Sequence, residues 1–279
     1  MAPPVVRGTA AWRYFGDFRA SLLAGQVLVL QVAHPVVAAG VRDHSDYQRD
    51  PWTRLLRTAG SLSIYVYGDA VGAQYEADRL RALHKRFTGI TGDGRRYSAL
   101  DARAYAWVHA TLVRQAVDAQ RFFGTPLSRA ELDEYYAQLT DIGHRLGLRE
   151  GQLPADWPSF ERYYADMVAD FGPNDTISTL FGTIRTVPKP VRWLPDALWS
   201  PLRKAHAELQ LFLIAATLPP RLRDRLGLEW SADRQRKFDR LCTAMRMVGR
   251  CVPTGMRSAH VRGVGKLNVF LRRRAGIHR

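Results

Sequence analysis

The chain has 279 residues, of which 46% are hydrophobic, so it is long enough to bury a large core in one domain or two. Its 41 Lys and Arg outnumber 26 Asp and Glu, which gives a formal net charge of +15. Cys242 and Cys251 are too few for a disulfide framework or a metal site, and the N-terminal sequence lacks an export-signal pattern. We therefore exclude a disulfide-rich secreted protein and expect a cytoplasmic one.

The positive charge is concentrated at the end of the chain. Residues 219–279 contain 16 basic and 4 acidic side chains, so they carry +12 of the total. Such a tail could bind an anionic partner, either a membrane surface or nucleic acid. The positive charge could instead reflect a genome-wide codon bias toward arginine and not a binding surface, because only 5 of the 41 basic residues are Lys. No zinc-finger or RNA-recognition signature is present, and we expect no specific nucleic acid partner.

One segment resembles a membrane span by length. Residues 20–41 carry no formal charge and are almost long enough to cross a bilayer. Gln26, Gln31 and His34 interrupt the segment, and each polar group would be costly in hydrocarbon unless it were paired. The pattern instead predicts a helix buried in a protein core, which ends near His34 because the next residue is Pro35.

The remaining chain has mostly helical periodicity. Asp50 and Pro51 begin a helix that continues to Gly68, and Asp69 caps another that reaches about Phe87. Further helices begin after the motifs SALD and SRAE and cover segments near 159–171, 175–185, 196–217 and 231–251. No sustained strand pattern or internal repeat appears. We predict one all-α domain over residues 1–252, followed by a basic C-terminal extension over residues 253–279.

A histidine interrupts the apolar stretch YAWVHATLV at residues 105–113. On a helix from Asp101 to about Phe123, His109 shares a face with Tyr105 and with three aliphatic residues, Ala106, Leu112 and Ala116. An imidazole in an apolar layer must bond through at least one nitrogen. The commoner outcome is a core histidine bonded to a carbonyl or side chain, and the alternative is a metal or haem ligand.

Two arginines and a hydroxyl share one face of the helix that starts at Pro51. Arg54, Arg57 and Thr58 are spaced at i, i+3 and i+4. Because neighbouring like charges repel, the pattern is consistent with a bound anionic or polar group such as carboxylates or oxygen. The alternative is a solvated side of the helix.

Four blocks of sequence resemble a known family. They are LLAGQVLVLQVAHPVVAAGVRDHSDYQRDPWTRLLRT, WVHATLV, LSRAELDEYY and TLPPRLRDRLGL, in this order, and the resemblance extends from about Phe15 to about Met256. The chain is similar to the oxygenase family that groups the MpaB-type oxygenases with the latex clearing proteins, which are bacterial rubber oxygenases. The resemblance implies haem b in an all-helical, globin-like core, and cleavage of isoprenoid carbon–carbon double bonds with dioxygen.

The resemblance also implies roles for individual residues. His109 matches the proximal haem ligand, and Arg54, Arg57 and Thr58 match an Arg-x-x-Lys-Thr motif on the oxygen side of the haem. Arg57 replaces the lysine of that motif; it can donate hydrogen bonds but has no lone pair for iron. The acidic general base of the rubber-cleaving branch has no aligned counterpart here. The nearby acids are Asp43, Asp46 and Asp50, the last of which has the position of a helix cap.

Other histidines have weaker patterns. His34 and His44 could line a pocket or bond to turn carbonyls, and His84 resembles an exposed helix position. Asp141 and His144 have the spacing of a carboxylate–histidine metal pair, but a di-iron bundle would need further inward carboxylates.

We therefore predict an oxygenase that binds haem b through His109 and takes dioxygen and a hydrophobic, isoprenoid-like substrate. The first alternative is a haem- or lipid-binding helical protein without turnover. The second is an anionic-surface binder that uses the basic tail. As a helix, residues 261–279 would combine apolar and cationic side chains and could contact a membrane. The glycines in this tail favour a docked or disordered end instead.

Overall fold

A computed structural model describes residues 5–274 of the chain, with side chains described for residues 5–270. Helices form nearly all of the regular structure. They are α1 (Ala10–Tyr14), α2 (Ala24–Ala33), α3 (Pro35–His44), α4 (Pro51–Tyr67), α5 (Ala70–Lys85), α6 (Ala102–Phe123), α7 (Arg129–Leu146), α8 (Trp157–Ala169), α9 (Asp175–Thr186), α10 (Asp196–Thr217), α11 (Pro220–Arg225), α12 (Ala232–Cys251) and α13 (Ala259–Arg274). Short 3-10 helices lie at Phe18–Leu23 and Thr254–Met256. The prediction of an all-α domain is confirmed.

Local capping explains most helix starts. The Asp50 carboxylate accepts a hydrogen bond from the Thr53 backbone N–H at 3.1 Å, and Asp69 accepts one from Gly72 at 2.7 Å. Ser128 and Glu131 form a reciprocal capping box, as the sequence predicts. The predicted box SALD is different, because its last residue, Asp101, caps α6 by accepting from the Ala104 N–H at 2.9 Å.

The described residues include one small β-hairpin. Strands β1 (Thr88–Ile90) and β2 (Arg96–Ser98) are antiparallel, with Thr88 opposite Ser98. The Gly-Asp-Gly break predicted at residues 92–94 forms the turn of this hairpin, and Gly94 takes a positive φ of 84° that suits glycine.

The core is built around α6. Trp107, Ala110 and Val113 of this helix are fully buried. The Trp107 indole N–H donates to the Leu30 carbonyl of α2 at 2.8 Å, which fixes α2 against α6. A second apolar cluster joins the end of α6 at Phe123 to α10 and to α12 at Phe238.

The long uncharged segment is bent in the structure. The helical segments Phe18–Ala33 and Pro35–His44 meet at an angle of 105°. Together they have the length and the apolar composition of a membrane span, but they are bent. No single helix among the described residues is long and apolar enough to cross a membrane.

The C-terminal helix α13 packs along α4. Two glycines allow this approach, one on each helix. A Cβ on Gly60 of α4 would lie 2.9 Å from the Asn268 Cγ, and a Cβ on Gly265 of α13 would lie 2.7 Å from the Ser63 Cβ. Between residues 259 and 270, the basic extension is therefore a docked helix, which is one of the two alternatives to a membrane-bound tail.

Candidate functional site

His109 is buried between α6 and α7. Its Nε2 lies 2.7 Å from the Leu139 carbonyl oxygen. Because a carbonyl only accepts, Nε2 carries the proton and donates it, and Nδ1 has a lone pair. The Nδ1 atom is buried and has no hydrogen-bond partner among the described residues. Burial lowers the pKa of His109 to about 4, against a smaller opposing effect of the Leu139 hydrogen bond.

Close packing fixes the His109 ring. A Cβ on Gly143 of α7 would lie 3.1 Å from the His109 Nε2, so the glycine lets α7 approach the ring. The hydrogen bond to a backbone carbonyl is the arrangement expected of a structural core histidine. The same bond would also orient a metal ligand, since ligating histidines usually donate their second ring N–H to such an acceptor.

Arg54, Arg57 and Thr58 lie near the start of α4 with exposed side chains. The Thr58 hydroxyl donates to the Arg54 carbonyl at 3.0 Å. Although the Arg54 side chain reaches solvent, enough protein surrounds it that burial lowers its pKa, and the neighbouring Arg57 charge lowers it further. Two adjacent cations are thus held on the same helix without a carboxylate between them.

A polar seam runs between α4 and α5, which are antiparallel because only Gly68 and Asp69 connect them. We define the α4–α5 seam as Arg54, Thr58 and Ser61 of α4 with Glu76, Arg79 and His84 of α5. At its centre the buried Glu76 accepts hydrogen bonds from the Ser61 hydroxyl at 2.5 Å and from the Arg79 guanidinium at 2.7 and 2.8 Å.

His84 lies at the other end of the seam. It is half-buried, so the prediction of an exposed position is wrong, and its Nδ1 is buried without a hydrogen-bond partner among the described residues. Burial lowers the pKa of His84, and the positive charges of Arg54 and Arg79 lower it further. The ring centre of His84 lies 5.8 Å from that of Tyr105 on α6.

The positive charge of Arg54 on α4 thus reaches His84 on α5, whereas His109 bonds to α7. The signal for this pairing was present in the sequence. Arg54 and His84 lie about equally far from the Gly68–Asp69 turn, so an antiparallel helix pair places them opposite each other. The periodicity of each helix taken alone does not identify contacts across the turn.

The three candidate acids differ in their surroundings. Asp46 is the acid whose charge acts on Arg54. Asp43 accepts a hydrogen bond from the Tyr97 hydroxyl at 2.8 Å, and Asp50 caps α4 as predicted. Two of the acids therefore have charges that reach the arginines, because Asp46 interacts with Arg54 and Asp50 with Arg57.

Of the other predicted histidines, His44 and His144 lie against backbone carbonyls. The His44 ring stacks on Phe87 at 4.6 Å and its Nε2 lies 3.2 Å from the Thr88 carbonyl. The His144 Nδ1 lies 3.0 Å from the Leu148 carbonyl. His34 begins α3, and its Nδ1 is buried without a partner in the described part of the chain. No cluster of three or more His, Cys, Asp or Glu within the described residues could hold a metal ion.

A cleft of about 600 Å³ lies between α9 and α10. Arg185, Lys204 and Glu208 are among the residues that line it, and all of its lining residues belong to these two helices. It is therefore separate from the α4–α5 seam and from His109.

Comparisons with known proteins support the resemblance read from the sequence. Residues 12–247 match the family described as ER-bound oxygenase mpaB/B'/Rubber oxygenase, catalytic domain. An uncharacterized protein of Mycobacterium bovis and one of Mycobacterium tuberculosis are each 26% identical over 236 residues, which cover 83% of this chain and 89% of theirs. No solved structure matches the chain.

Proposed function

Because the chain belongs to the catalytic-domain family of the ER-bound oxygenase mpaB/B' and the rubber oxygenases, we propose that it is a haem-dependent oxygenase whose reaction site lies in the α4–α5 seam. An oxygenase-type catalytic domain is what the family match itself establishes. One observation carries the finer proposal. Arg54 belongs to the motif that resembles the family's oxygen-side residues, and its positive charge lowers the pKa of His84. The Nδ1 atom of His84 is buried and has no hydrogen-bond partner among the described residues.

The seam has side chains of the kind that hold a haem. A neutral imidazole nitrogen is the usual protein ligand of haem iron, and the lowered pKa of His84 keeps its ring neutral at physiological pH. When bound, haem b would supply the redox chemistry that activates dioxygen. His109 is the second candidate ligand, because its Nδ1 has a lone pair and its Nε2–H is fixed by the Leu139 carbonyl.

The polar side chains near the start of α4 have different roles in this proposal. Arg54 and Arg57 stay protonated, so they provide fixed positive charge that can hold carboxylates or stabilise negative charge on a reacting oxygen. Thr58 donates its proton to the Arg54 carbonyl and keeps its lone pairs as acceptors. Asp46, whose charge reaches Arg54, is the candidate general base among the nearby acids. The substrate class, a hydrophobic isoprenoid, is proposed from the family.

Absorption spectroscopy of the purified protein tests the cofactor. Wild type expressed with added haem should show a Soret band, and His84→Ala should lose it while circular dichroism stays helical. If His109→Ala loses the band and His84→Ala keeps it, His109 is the ligand and the seam is not the haem site. A colourless wild type would contradict haem dependence altogether.

Ligand binding tests the role of α4. Arg54→Ala and Thr58→Ala should retain haem but change cyanide affinity, since they would touch the bound ligand and not the iron. Arg49→Ala, an exposed arginine just before α4, is the matched control. Dioxygen uptake with a hydrophobic isoprenoid then tests turnover. Haem binding without uptake would indicate a binding protein and not an oxygenase.

A further inference from the structure

The cleft between α9 and α10 has a lining that the proposed oxygenase reaction does not use. Its volume of about 600 Å³ is within the range of pockets that hold small organic ligands. On α10 the lining residues Ser200, Lys204, Ala207 and Leu211 are spaced by four, three and four positions, so they lie on one face of that helix. Arg185 lines the cleft from the last turn of α9. We call this site the α9–α10 cleft.

The α9–α10 cleft is apolar at its base and charged at its rim. Ala207 is only 6% exposed, and Leu211 is half-buried against the main core. Arg185, Lys204 and Glu208 reach solvent. A small molecule in the cleft would therefore contact apolar surface with one part and charged groups with another.

Three basic side chains line the cleft, and none of them forms an ion pair with another described residue. They are Arg185, Arg203 and Lys204. Glu208 follows Lys204 by four residues, a spacing that commonly allows an ion pair on a helix, but the two side chains are not paired. Like charges in one cleft repel each other, and an anion bound between them would remove that repulsion.

The charges of the lining indicate the class of anion. Three basic side chains and the Glu208 carboxylate give the lining a formal net charge of +2. A phosphate monoester carries about two negative charges at neutral pH and has three oxygens that accept hydrogen bonds. A carboxylate or a sulfonate carries a single charge and would leave the lining positive. Arginine suits a phosphate because its guanidinium can donate two parallel hydrogen bonds.

We propose that the α9–α10 cleft binds the phosphate monoester of a small organic compound. The phosphate lies between Arg185, Arg203 and Lys204, and the organic part covers Ala207 and Leu211. A nucleic acid strand fits less well, because each of its phosphodiesters carries one charge and the three cations belong to one cleft and not to a continuous track. The cleft is separate from the α4–α5 seam, so the proposal does not depend on haem.

Isothermal titration calorimetry of the full-length protein with phenyl phosphate tests this proposal. Wild type should bind one equivalent. Benzenesulfonate has the same ring but a single charge, and it should bind roughly fivefold more weakly or worse. Inorganic phosphate should also bind more weakly, since it lacks the ring that covers the apolar base of the cleft. Absence of saturable binding at millimolar phenyl phosphate, or equal affinity for the three anions, would overturn the proposal.

Substitution of two cations on α10 tests where the anion binds. Arg203→Gln with Lys204→Gln should weaken phenyl phosphate binding roughly tenfold or more, because charge-assisted hydrogen bonds are lost. Arg185 is a less suitable target, since a cation in the last turn of α9 also stabilises that helix end. Arg149→Gln with Arg192→Gln removes the same charge from exposed positions outside the cleft, and binding should stay within about twofold of wild type. Equal weakening by the two double variants would assign binding to the overall charge and overturn the proposal.

Substitution of Glu208 gives a test with the opposite sign. Glu208→Gln should bind phenyl phosphate roughly threefold more tightly, because the carboxylate that repels the phosphate is removed. Glu150→Gln changes an exposed acid outside the cleft in the same way, and its affinity should match that of wild type. Circular dichroism should show the same helix content for all of these variants. An unchanged affinity in Glu208→Gln would place the phosphate outside the α9–α10 cleft, and the proposal would be wrong.

Discussion

The surroundings of His109 and His84 are built differently, although each of these rings has a buried Nδ1 without a hydrogen-bond partner among the described residues. Around His109, α6 and α7 pack through apolar side chains, and the Leu139 carbonyl accepts a hydrogen bond from Nε2–H. Around His84, α4 and α5 meet through arginines, a hydroxyl and a buried carboxylate. The first region is a packed apolar layer, and the second is a cluster of charged and polar groups.

The difference shows how little burial alone says about function. The His109 ring is buried, and its Nε2–H is held by the Leu139 carbonyl. His84 is less buried but lies beside two cations that disfavour its protonation. A charged environment around a neutral imidazole is costly for a structural purpose and useful for binding an anionic or redox-active group.

Truncation of the two histidines should separate the regions by stability. His109→Ala would leave a cavity and remove the hydrogen bond from the ring to the Leu139 carbonyl, so we expect the free energy of unfolding to fall by about 3 to 4 kcal/mol. His84→Ala at the partly exposed seam should cost about 1 kcal/mol. Urea denaturation of the haem-free proteins measures both. Equal losses would show that the seam is packed as tightly as the core.

The pH dependence of stability should follow His109. Its folded-state pKa of about 4 lies below the ordinary value of 6.5, so the unfolded chain binds the proton first as the pH falls. Stability should therefore decline between about pH 6.5 and pH 4, by roughly 3 kcal/mol from this residue. His109→Gln, which does not titrate, should flatten that decline, whereas His44→Gln should not. An unchanged slope in His109→Gln would show that other groups control it.

Local signals were enough to predict much of the fold. Asp50, Asp69 and the Ser128–Glu131 box marked helix starts, and Pro35 marked the end of α2. They could not specify which helices pack together, because side-chain periodicity describes one helix at a time. For this reason the sequence predicts an exposed position for His84, which is half-buried in the structure. The docking of α13 on α4 depends on Gly60 and Gly265, whose significance appears only when the opposing Asn268 and Ser63 are known.

Substitution of Glu76 measures how much its hydrogen bonds stabilise the α4–α5 seam. Its carboxylate is fully buried and accepts from Ser61 and Arg79, so Glu76→Ala leaves both donors without it. We expect a loss of about 2 kcal/mol, less than for a fully buried ion pair because Arg79 is partly exposed. Glu76→Gln should lose about half as much.

The matched control for the seam is Asp78→Ala on the exposed side of α5, which should change stability by less than about 0.5 kcal/mol. Thermal unfolding followed by circular dichroism gives all three values. If Glu76→Ala is no worse than Asp78→Ala, the buried hydrogen bonds do not fix the seam.

The smallest expected effect concerns the docking of α13. Alanine normally stabilises a helix by up to about 1 kcal/mol relative to glycine. At Gly265 its Cβ would lie 2.7 Å from the Ser63 Cβ, so α13 must move away from α4, and overlap of this kind costs about 1 to 3 kcal/mol. Gly265→Ala should therefore destabilise by about 1 kcal/mol and speed hydrogen exchange in α13. Gly182→Ala in α9, where nothing lies within 4 Å of an added Cβ, should be neutral or stabilising. If both substitutions stabilise equally, α13 does not depend on this contact, and the chain beyond Pro253 is a separable extension.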